Sequence, residues 1–191
     1  MEMTYDEFLK LESPVNKITE YINGTVFFFD SPGTEHFYII SKLIDIFGSY
    51  FRLRECQVFF APYDIYLNKE VYVPDLLVVC DSSKIKPEGC VGSPDLIIEV
   101  LSPTNNNHDL QTKKVAYEKH GIKEYWIINP VTKVVLTHLL SEGYERRIYK
   151  YPAIKIIHPY IFPQLCIRLD ALFGDIDKRE FTQYLIKLTG I

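Results

Sequence analysis

The pattern of hydrophobic and polar residues predicts a strand, a helix and a second strand in the middle of the chain. Residues 95–101 are largely apolar on both alternating faces, which is typical of a strand buried on both sides of a layered sheet. A polar loop over 102–108 leads to a helical pattern over 109–120, and a second apolar run covers 124–128. This strand-helix-strand unit is the predicted centre of the fold.

Alternating and helical patterns on either side add more strands and one long helix. Two alternating runs joined by Asn23-Gly24 predict a hairpin, because both turn positions accept a positive φ. A helix is predicted over about 32–50, capped by Ser31 or Thr34, with an apolar stripe of Phe37, Ile40, Leu43, Ile44 and Phe47. We assign His36, in its first turn, to the surface or to packing rather than to a ligand role.

The remaining patterns predict strands around a polar linker. They cover 55–60, 63–67, 71–81, 133–139, 144–151, 154–158 and 165–169, with a linker over 82–92 and a last helix over about 178–188. The whole chain therefore predicts a mixed α/β (α+β) fold, in which helices flank a central sheet and extra hairpins lie towards the N- and C-terminal sides.

Two acidic residues interrupt predicted buried strands. Glu99 lies inside the apolar run LIIEVL, where a charge costs several kcal/mol unless it is paired, so we expect a cation nearby. Asp75 lies inside the run over 71–81, and the two carboxylates can converge on one ion if their strands are neighbours at about 4.8 Å. Asp95 is a poor partner for Glu99, because four residues of strand separate them by about 13 Å.

The predicted central helix offers the cation that Glu99 needs. Asp109, Lys113 and Tyr117 follow one another at four-residue intervals and so share a helix face. Lys113 is the expected partner, Asp109 is expected to act as a cap, and Tyr117 is assigned to packing. Glu20, in the first strand of the N-terminal hairpin, is either an outward-facing residue or an additional acid near the same site.

Composition and charge narrow the class of protein. The chain has 191 residues, of which 47% are hydrophobic, which predicts one globular domain over 1–191. With 21 basic and 25 acidic residues the formal net charge is −4, which argues against a broad nucleic-acid-binding surface but leaves room for a local basic patch. Exposed edges rich in aromatic residues would favour a homo-oligomer, although core packing explains the same residues, Phe27, Phe28, Phe29, Phe59 and Phe60.

The cysteines and the absence of long apolar runs predict the compartment. Cys56, Cys80, Cys90 and Cys166 show no metal-ligand spacing, which favours reduced thiols over a zinc site, and Cys80 falls in a predicted buried strand. The first residues lack the pattern of a signal peptide, and no apolar run approaches about 18 residues. We therefore expect a cytoplasmic protein that does not contact a membrane.

Two segments together resemble a known family. VPDLLVV and SPDLIIEVLSPTNNNHDLQTKKVAYEKHGIKEYWIINP are similar to the Uma2 family, whose members resemble restriction-type endonucleases of the PD-(D/E)XK superfamily. The resemblance implies that Asp75 and Glu99 are metal ligands and that Lys113 is the lysine of the nuclease core. In the commonest pattern of that superfamily the lysine follows the second acid by two residues, where this chain has Leu101. The lysine would therefore have moved to the helix, where Lys113 or its neighbour Lys114 would reach back to the strand.

The resemblance implies a DNA endonuclease that depends on Mg²⁺ or Mn²⁺. Ions held by Asp75 and Glu99 would lower the pKa of a water and neutralise the scissile phosphate, Lys113 would position that water or stabilise the transition state, and Glu20 would be a third acid. The alternative is an inactive module for binding nucleic acid or protein, in which Asp75, Glu99 and Lys113 form a structural ion-pair network.

Overall fold

Two six-stranded sheets form the framework of the protein, which a computed structural model describes over residues 1–30, 32–102, 107–140 and 145–174, with backbone alone at 107–109. In chain order the helices and strands are α1 (Tyr5–Phe8), β1 (Lys17–Ile22), β2 (Thr25–Asp30), α2 (Thr34–Phe51), β3 (Gln57–Phe60), β4 (Ile65–Leu67), β5 (Glu70–Tyr72), β6 (Leu76–Val79), β7 (Ile85–Lys86), β8 (Gly89–Val91), β9 (Leu96–Val100), α3 (Asn107–Lys119), β10 (Glu124–Asn129), β11 (Val134–Leu139), β12 (Glu145–Lys150), β13 (Ile156–Ile157), β14 (Ile167–Arg168) and α4 (Leu169–Phe173). One sheet has the order β2-β1-β5-β4-β8-β7 and the other β12-β11-β10-β9-β6-β3, while β13 and β14 pair with each other.

The predicted strand-helix-strand unit is present at the centre of the second sheet. Strands β9 and β10 are parallel neighbours joined through α3, and β6 and β11 flank them in antiparallel pairing. Leu96, Ile98 and Val100 pack with α2 on one side of the sheet, whereas Ile97 packs on the other side with residues of α3. Burial of each of these side chains stabilises the fold by about 1.5–3 kcal/mol. The prediction of a mixed α+β fold is confirmed.

The buried face of α2 differs from the predicted stripe by one position. His36, Ile40, Leu43 and Phe47 are buried, whereas Phe37 is 55% exposed. These four buried positions follow the helical spacing i, i+4, i+7 and i+11, so the histidine continues the core face. The N-cap is Gly33 and makes no side-chain bond, so the predicted cap at Thr34 is wrong; Ser31 lies outside the described residues.

The run over 71–81, predicted as one strand, is divided between the two sheets. Strand β5 pairs with β1 and β4, whereas β6 pairs with β3 and β9. The chain crosses from one sheet to the other through Val73, Pro74 and Asp75, where proline has no N–H to contribute to a ladder. The predicted linker over 82–92 is also wrong in part, because it contains β7 and β8.

Two cysteines predicted to be reduced form a disulfide. Cys56 and Cys80 are bonded, whereas Cys90 and Cys166 are free thiols. Strands β3 and β6 pair with Gln57 opposite Val79, so the next residue outward on each strand is a cysteine facing the other. The prediction of four reduced thiols is therefore wrong for this pair, and Cys80 is half-buried rather than buried. The two cysteines are 24 residues apart, a separation that matches no spacing motif, and they meet because of the register between β3 and β6.

Other predicted elements agree with the structure where it describes them. The Asn23-Gly24 hairpin is present with positive φ at both positions, and β11 pairs with β12 as predicted for 133–139 and 144–151. The predicted helix over about 178–188 and the turn between β11 and β12 lie outside the described residues. Within the described ranges, no helix is both long and apolar enough to cross a bilayer.

We expect the buried His138 of β11 to make folding sensitive to acid. Burial, together with the charges of Lys114 and Arg146, lowers the pKa of His138 to about 4. The folded state thus favours the neutral ring, so stability is complete above about pH 6.5 and falls towards pH 4, by up to about 3 kcal/mol. Urea unfolding at several pH values should show that His138→Gln loses less stability on acidification than the wild type. The exposed His158 supplies the control, because His158→Gln should lose as much stability on acidification as the wild type does. If His138→Gln also loses as much as the wild type, His138 is not the source of the acid sensitivity.

Candidate functional site

The pairing of β6 with β9 brings Asp75 and Glu99 together. Leu76 lies opposite Ile98, so continuing this antiparallel register by one residue places Asp75 opposite Glu99. Oδ2 of Asp75 accepts the backbone N–H of Val100 at 2.7 Å. Asp75 is 8% exposed and Glu99 3%, so both carboxylates are largely withdrawn from water. The structure thus gives the two acids the proximity that the sequence predicted.

Lys113 bridges acids that come from different sheets. From the middle of α3, its Nζ lies 3.0 Å from Oε1 of Glu99 in β9 and 2.8 Å from Oε1 of Glu20 in β1. The lysine is itself only 8% exposed. Leu101, at the position where the commonest pattern places a lysine, is a half-buried apolar residue that packs with the core next to α3. The ammonium group reaches Glu99 from the helix, as the sequence required.

Glu20 faces the interior, so its interpretation as an outward-facing strand residue is wrong. Its side chain is fully buried, and Oε1 accepts the backbone N–H of Val73 at 2.9 Å. Oε2 is also buried and has no hydrogen-bond partner among the described residues. A buried carboxylate oxygen without a donor is costly, and this cost makes Oε2 of Glu20 a position that a cation would relieve.

His36 belongs to the site, although the sequence interpretation placed it at the surface or in packing. Its Nε2 lies 2.9 Å from Oδ2 of Asp75, and the ring is 5% exposed. The imidazole and the N–H of Val100 therefore hold the same carboxylate oxygen. The signal that identifies His36 is periodicity: it precedes Ile40, Leu43 and Phe47 on the buried face of α2.

Tyr117 supports Glu99 from one helical turn beyond Lys113. Its hydroxyl donates to Oε1 of Glu99 at 3.3 Å, and its ring packs edge-on against Tyr72 and Tyr125. Burial raises the pKa of Tyr117 well above its ordinary value, and the charges of Glu99 and Glu20 raise it further, so the phenol remains a proton donor. Tyr117 therefore combines the predicted packing role with a hydrogen bond to the site.

Burial and mutual repulsion set the charges of this group. Burial raises the pKa of Glu99 above its ordinary range, the charge of Lys113 opposes this, and the charges of Asp75 and Glu20 add to it. Burial by itself lowers the pKa of Lys113, but Glu20 and Glu99 outweigh it and hold that pKa well above its ordinary value. Lys113 therefore stays positively charged, and the charges of Asp75 and Glu20 disfavour the ionised form of Glu99.

Asp95 lies apart from this group, as predicted. Its Oδ1 pairs with the ammonium of Lys123 at 2.5 Å, and Oδ2 accepts the backbone N–H of Cys80 at 2.8 Å. It lies at the other end of β9 from Glu99 and is 8% exposed. Asp95 thus has its own partners. The side chain of Asp109 lies outside what the structure describes.

The acids and Lys113 line a small cleft between the two sheets. Its volume is about 50 Å³, and its wall also includes Phe29, His36 and Leu110. Among the described lining residues, four carboxylates, Glu20, Asp30, Asp75 and Glu99, share the cleft with one lysine, and Asp30 is paired with Lys17 outside the cleft. With Asp30 offset by Lys17 and His36 left out of the sum, the other three acids outweigh Lys113 by two negative charges when all are ionised. Burial raises the pKa of Glu99 to about 8, so at neutral pH this carboxyl is largely protonated and the excess is nearer one charge until a cation displaces the proton.

The donor set of the cleft suits a hard divalent cation. Carboxylate oxygens are the ligands that Mg²⁺ and Mn²⁺ prefer, and the excess negative charge and the partnerless Oε2 of Glu20 fit the same ion. Within the described part of the chain, no group of three or more His, Cys, Asp or Glu side chains is arranged to hold a metal. Protein sites for Mg²⁺ often use one or two carboxylates and leave the other positions to water and substrate phosphate, so a site for this ion does not need three protein ligands.

Comparison with known proteins places the chain in a family. The model of the Uma2 family, described as "putative restriction endonuclease", matches residues 5–170. A crystal structure of a "putative nuclease belonging to DUF820" from Anabaena variabilis has a TM-score of 0.77 and 25% identity, over 90% of this chain and 98% of that chain. An uncharacterized protein of Synechocystis sp. is 24% identical over 146 residues, which are 74% of this chain and 77% of that protein. Because the family model matches most of the chain, the resemblance seen in the sequence is confirmed, and the protein belongs to the Uma2 family of restriction endonuclease-like proteins.

Proposed function

We propose that the protein is an endonuclease that hydrolyses DNA phosphodiester bonds with the help of Mg²⁺ or Mn²⁺. The observation that carries this proposal is the cleft that Asp75 shares with Glu20, Glu99 and Lys113, in which acids outnumber the one lysine that contacts Glu20 and Glu99. A divalent cation complements that charge, and by binding Glu99 it would release Lys113 from this partner to contact the phosphate. The family and the solved relative, both described as nucleases, support the same chemistry.

Each residue of the cleft has a role in this proposal. Asp75 and Glu99 hold the cation, which when bound supplies positive charge against the phosphate and lowers the pKa of a water. Lys113 orients the attacking water or stabilises charge on the phosphate oxygens, and Glu20 holds the lysine from the opposite sheet. His36 and the N–H of Val100 keep Asp75 in a single orientation. Hydrolysis then joins the water oxygen to phosphorus and breaks one ester bond.

Metal binding tests the proposal directly. Adding Mg²⁺ or Mn²⁺ should raise the melting temperature, because a ligand that binds only the folded state stabilises it, by about 2.7 kcal/mol at a concentration 100 times the dissociation constant. The same addition should leave a double variant, Asp75→Asn with Glu99→Gln, unchanged. Differential scanning fluorimetry and titration calorimetry measure the two effects, and cleavage of supercoiled DNA with metal or with EDTA measures the activity. Equal shifts in wild type and double variant would contradict metal binding by these acids.

One observation favours a different function, a binding module that retains the nuclease fold. Lys113 already contacts both Glu20 and Glu99, as expected if these groups form a structural ion-pair network. Such a network needs no metal and gives no metal-dependent stabilisation. The melting experiment therefore separates the two functions, because a shift that depends on Asp75 and Glu99 is expected of the nuclease alone.

Three further sequence predictions stay as proposals. We infer one domain over residues 1–191 and a cytoplasmic location. The Cys56–Cys80 disulfide removes the argument for this location from four reduced thiols. We also infer a homo-oligomer, for which the ring of Phe60, 49% exposed, is the best candidate at an interface. Phe59 is less suited to that role, because it stacks on Tyr63 and packs against the core.

A further inference from the structure

We propose that Phe27 and Phe29 of β2 form a stacking platform for unpaired bases, which makes single-stranded DNA the preferred substrate of the cleft. This inference rests on the nuclease function proposed above, because it names the form of DNA that the cleft receives. It concerns two aromatic side chains that neither the fold nor the acidic cluster requires.

Strand alternation places both rings on the side of the cleft. In the pairing of β1 with β2, Phe27 lies opposite Glu20 and Phe29 lies opposite Ile18, and opposite residues in an antiparallel pair share a face. Glu20, Ile18 and Phe29 all line the cleft. Phe27 continues this face outward to the surface, where its ring is 37% exposed.

The distance between the centroids of the two rings is close to the distance between the two neighbours of one stacked base. Their centroids lie 6.4 Å apart with planes inclined by 20°. Successive stacked bases are about 3.4 Å apart, so about 6.8 Å separates the two neighbours of any one base. This is also the ordinary spacing of side chains two residues apart on a strand, and it puts two ring faces within reach of neighbouring bases. Every base has a π-face, so this contact would tolerate sequence changes.

The platform is continuous with the cation of the cleft. Nζ of Lys113 lies 5.7 Å from the centroid of the Phe29 ring. A base against Phe29 therefore brings the phosphate of its own nucleotide towards the lysine and the acids. In duplex DNA the faces of the bases are covered by their neighbours, so a platform of this kind engages bases that are unstacked.

The net negative charge of the chain agrees with base stacking, rather than phosphate contacts, as the main source of affinity for single-stranded DNA. The net charge is −4, and Lys113 is the lysine among the described lining residues. Neutralising one phosphate of a single strand gives a slope of about −0.7 in a plot of log affinity against log salt. We therefore expect weak salt dependence, in contrast with proteins that bind duplex DNA through many phosphate contacts.

Phe28 provides a matched control for the platform. It belongs to the same strand and is 39% exposed, close to the 37% of Phe27. It lies opposite Thr19, so its side chain points to the other face of the sheet. Replacing either residue removes a phenyl ring of similar exposure, and only Phe27 lies on the face of the sheet that carries Phe29 and Glu20.

Fluorescence anisotropy in EDTA measures binding without cleavage. The probe is a labelled mixed-sequence oligonucleotide, either single-stranded or annealed to its complement, and thermal unfolding verifies that each variant is folded. The wild type should prefer the single strand, Phe27→Ala should bind it about 5- to 150-fold more weakly, and Phe28→Ala should bind it as the wild type does. Phe27→Tyr should restore binding, whereas Phe27→Leu, which is apolar without a π-face, should not.

The outcomes separate the platform from the nuclease. Equal affinity of the wild type for single strand and duplex, or equal loss in Phe27→Ala and Phe28→Ala, would overturn the platform. If Phe27→Ala cleaves duplex DNA with metal as well as the wild type does, the platform is overturned and the nuclease function is retained. Single-strand binding that requires Phe27, in a protein that never cleaves DNA, would support the platform and overturn the nuclease.

Discussion

Replacing Glu99 with glutamine should lower metal-dependent DNA cleavage by at least about 10²-fold, the loss typical of removing one electrostatic group that acts in the transition state. Glutamine keeps the shape of glutamate and can still accept the hydroxyl of Tyr117, but it has no charge with which to hold a cation. Lys113 keeps Glu20 as a partner, so the fold should survive. Cleavage of supercoiled and single-stranded DNA with Mg²⁺ or Mn²⁺ measures the effect.

Asp95→Asn is the matched control for this experiment. Asp95 is a second buried carboxylate beside the same strand, but it pairs with Lys123 and the N–H of Cys80, away from the cleft. Its replacement should leave cleavage within about twofold of the wild type after correction for the folded fraction. If Glu99→Gln cleaves as well as Asp95→Asn does, the acids of the cleft are not catalytic and the nuclease function is wrong.

Replacing Lys113 with methionine should destabilise the protein by about 3–5 kcal/mol, because it leaves Glu20 and Glu99 buried without the cation that neutralises them. Methionine fills a similar volume, so the loss reports on charge rather than on a cavity. Urea unfolding at neutral pH measures the difference. Lys119→Met, on the exposed side of the same helix, should change the stability by less than about 0.5 kcal/mol.

A compensating variant separates lost charge from lost packing. Combining Lys113→Met with Glu20→Gln and Glu99→Gln removes the charges of both acids together with their partner, so most of the lost stability should return. Cleavage should remain absent, because the nuclease needs the charged groups. A triple variant as unstable as Lys113→Met would show that the lysine acts through its packing, and an unaltered stability of Lys113→Met would contradict the buried ion-pair network itself.

Two acids of the candidate site, Glu99 and Asp75, could be predicted because each interrupts an apolar run. Glu99 interrupts an apolar run and so demanded a cation, and Lys113 and Tyr117 share a helix face at a four-residue spacing. The structure places both of these groups on Oε1 of Glu99. The position of Asp75 was predicted for the wrong reason, because Asp75 lies at the crossing between two sheets rather than inside one long strand.

His36, Glu20 and the disulfide show what local patterns leave undecided. A histidine in the first turn of a helix is compatible with the surface and with the core, and the one-position error in the stripe of α2 put Phe37 inside instead of His36. Glu20 stands in a strand whose neighbours alternate, so either face was open to it. Cys56 and Cys80 are distant in the chain and meet only because β3 pairs with β6 in one particular register.

The sequence by itself determined the local elements and the residues that need a partner. Periodicity distinguishes strands from helices, and a charge in an apolar run is costly wherever the chain folds. The tertiary structure alone decided which partners meet. The crossing at Pro74 joins the sheet that carries Glu20 to the sheet that carries Glu99, α3 places Lys113 between these two acids, and α2 brings His36 to Asp75. Contacts between residues far apart in the chain depend on strand order and register, which short-range patterns do not specify.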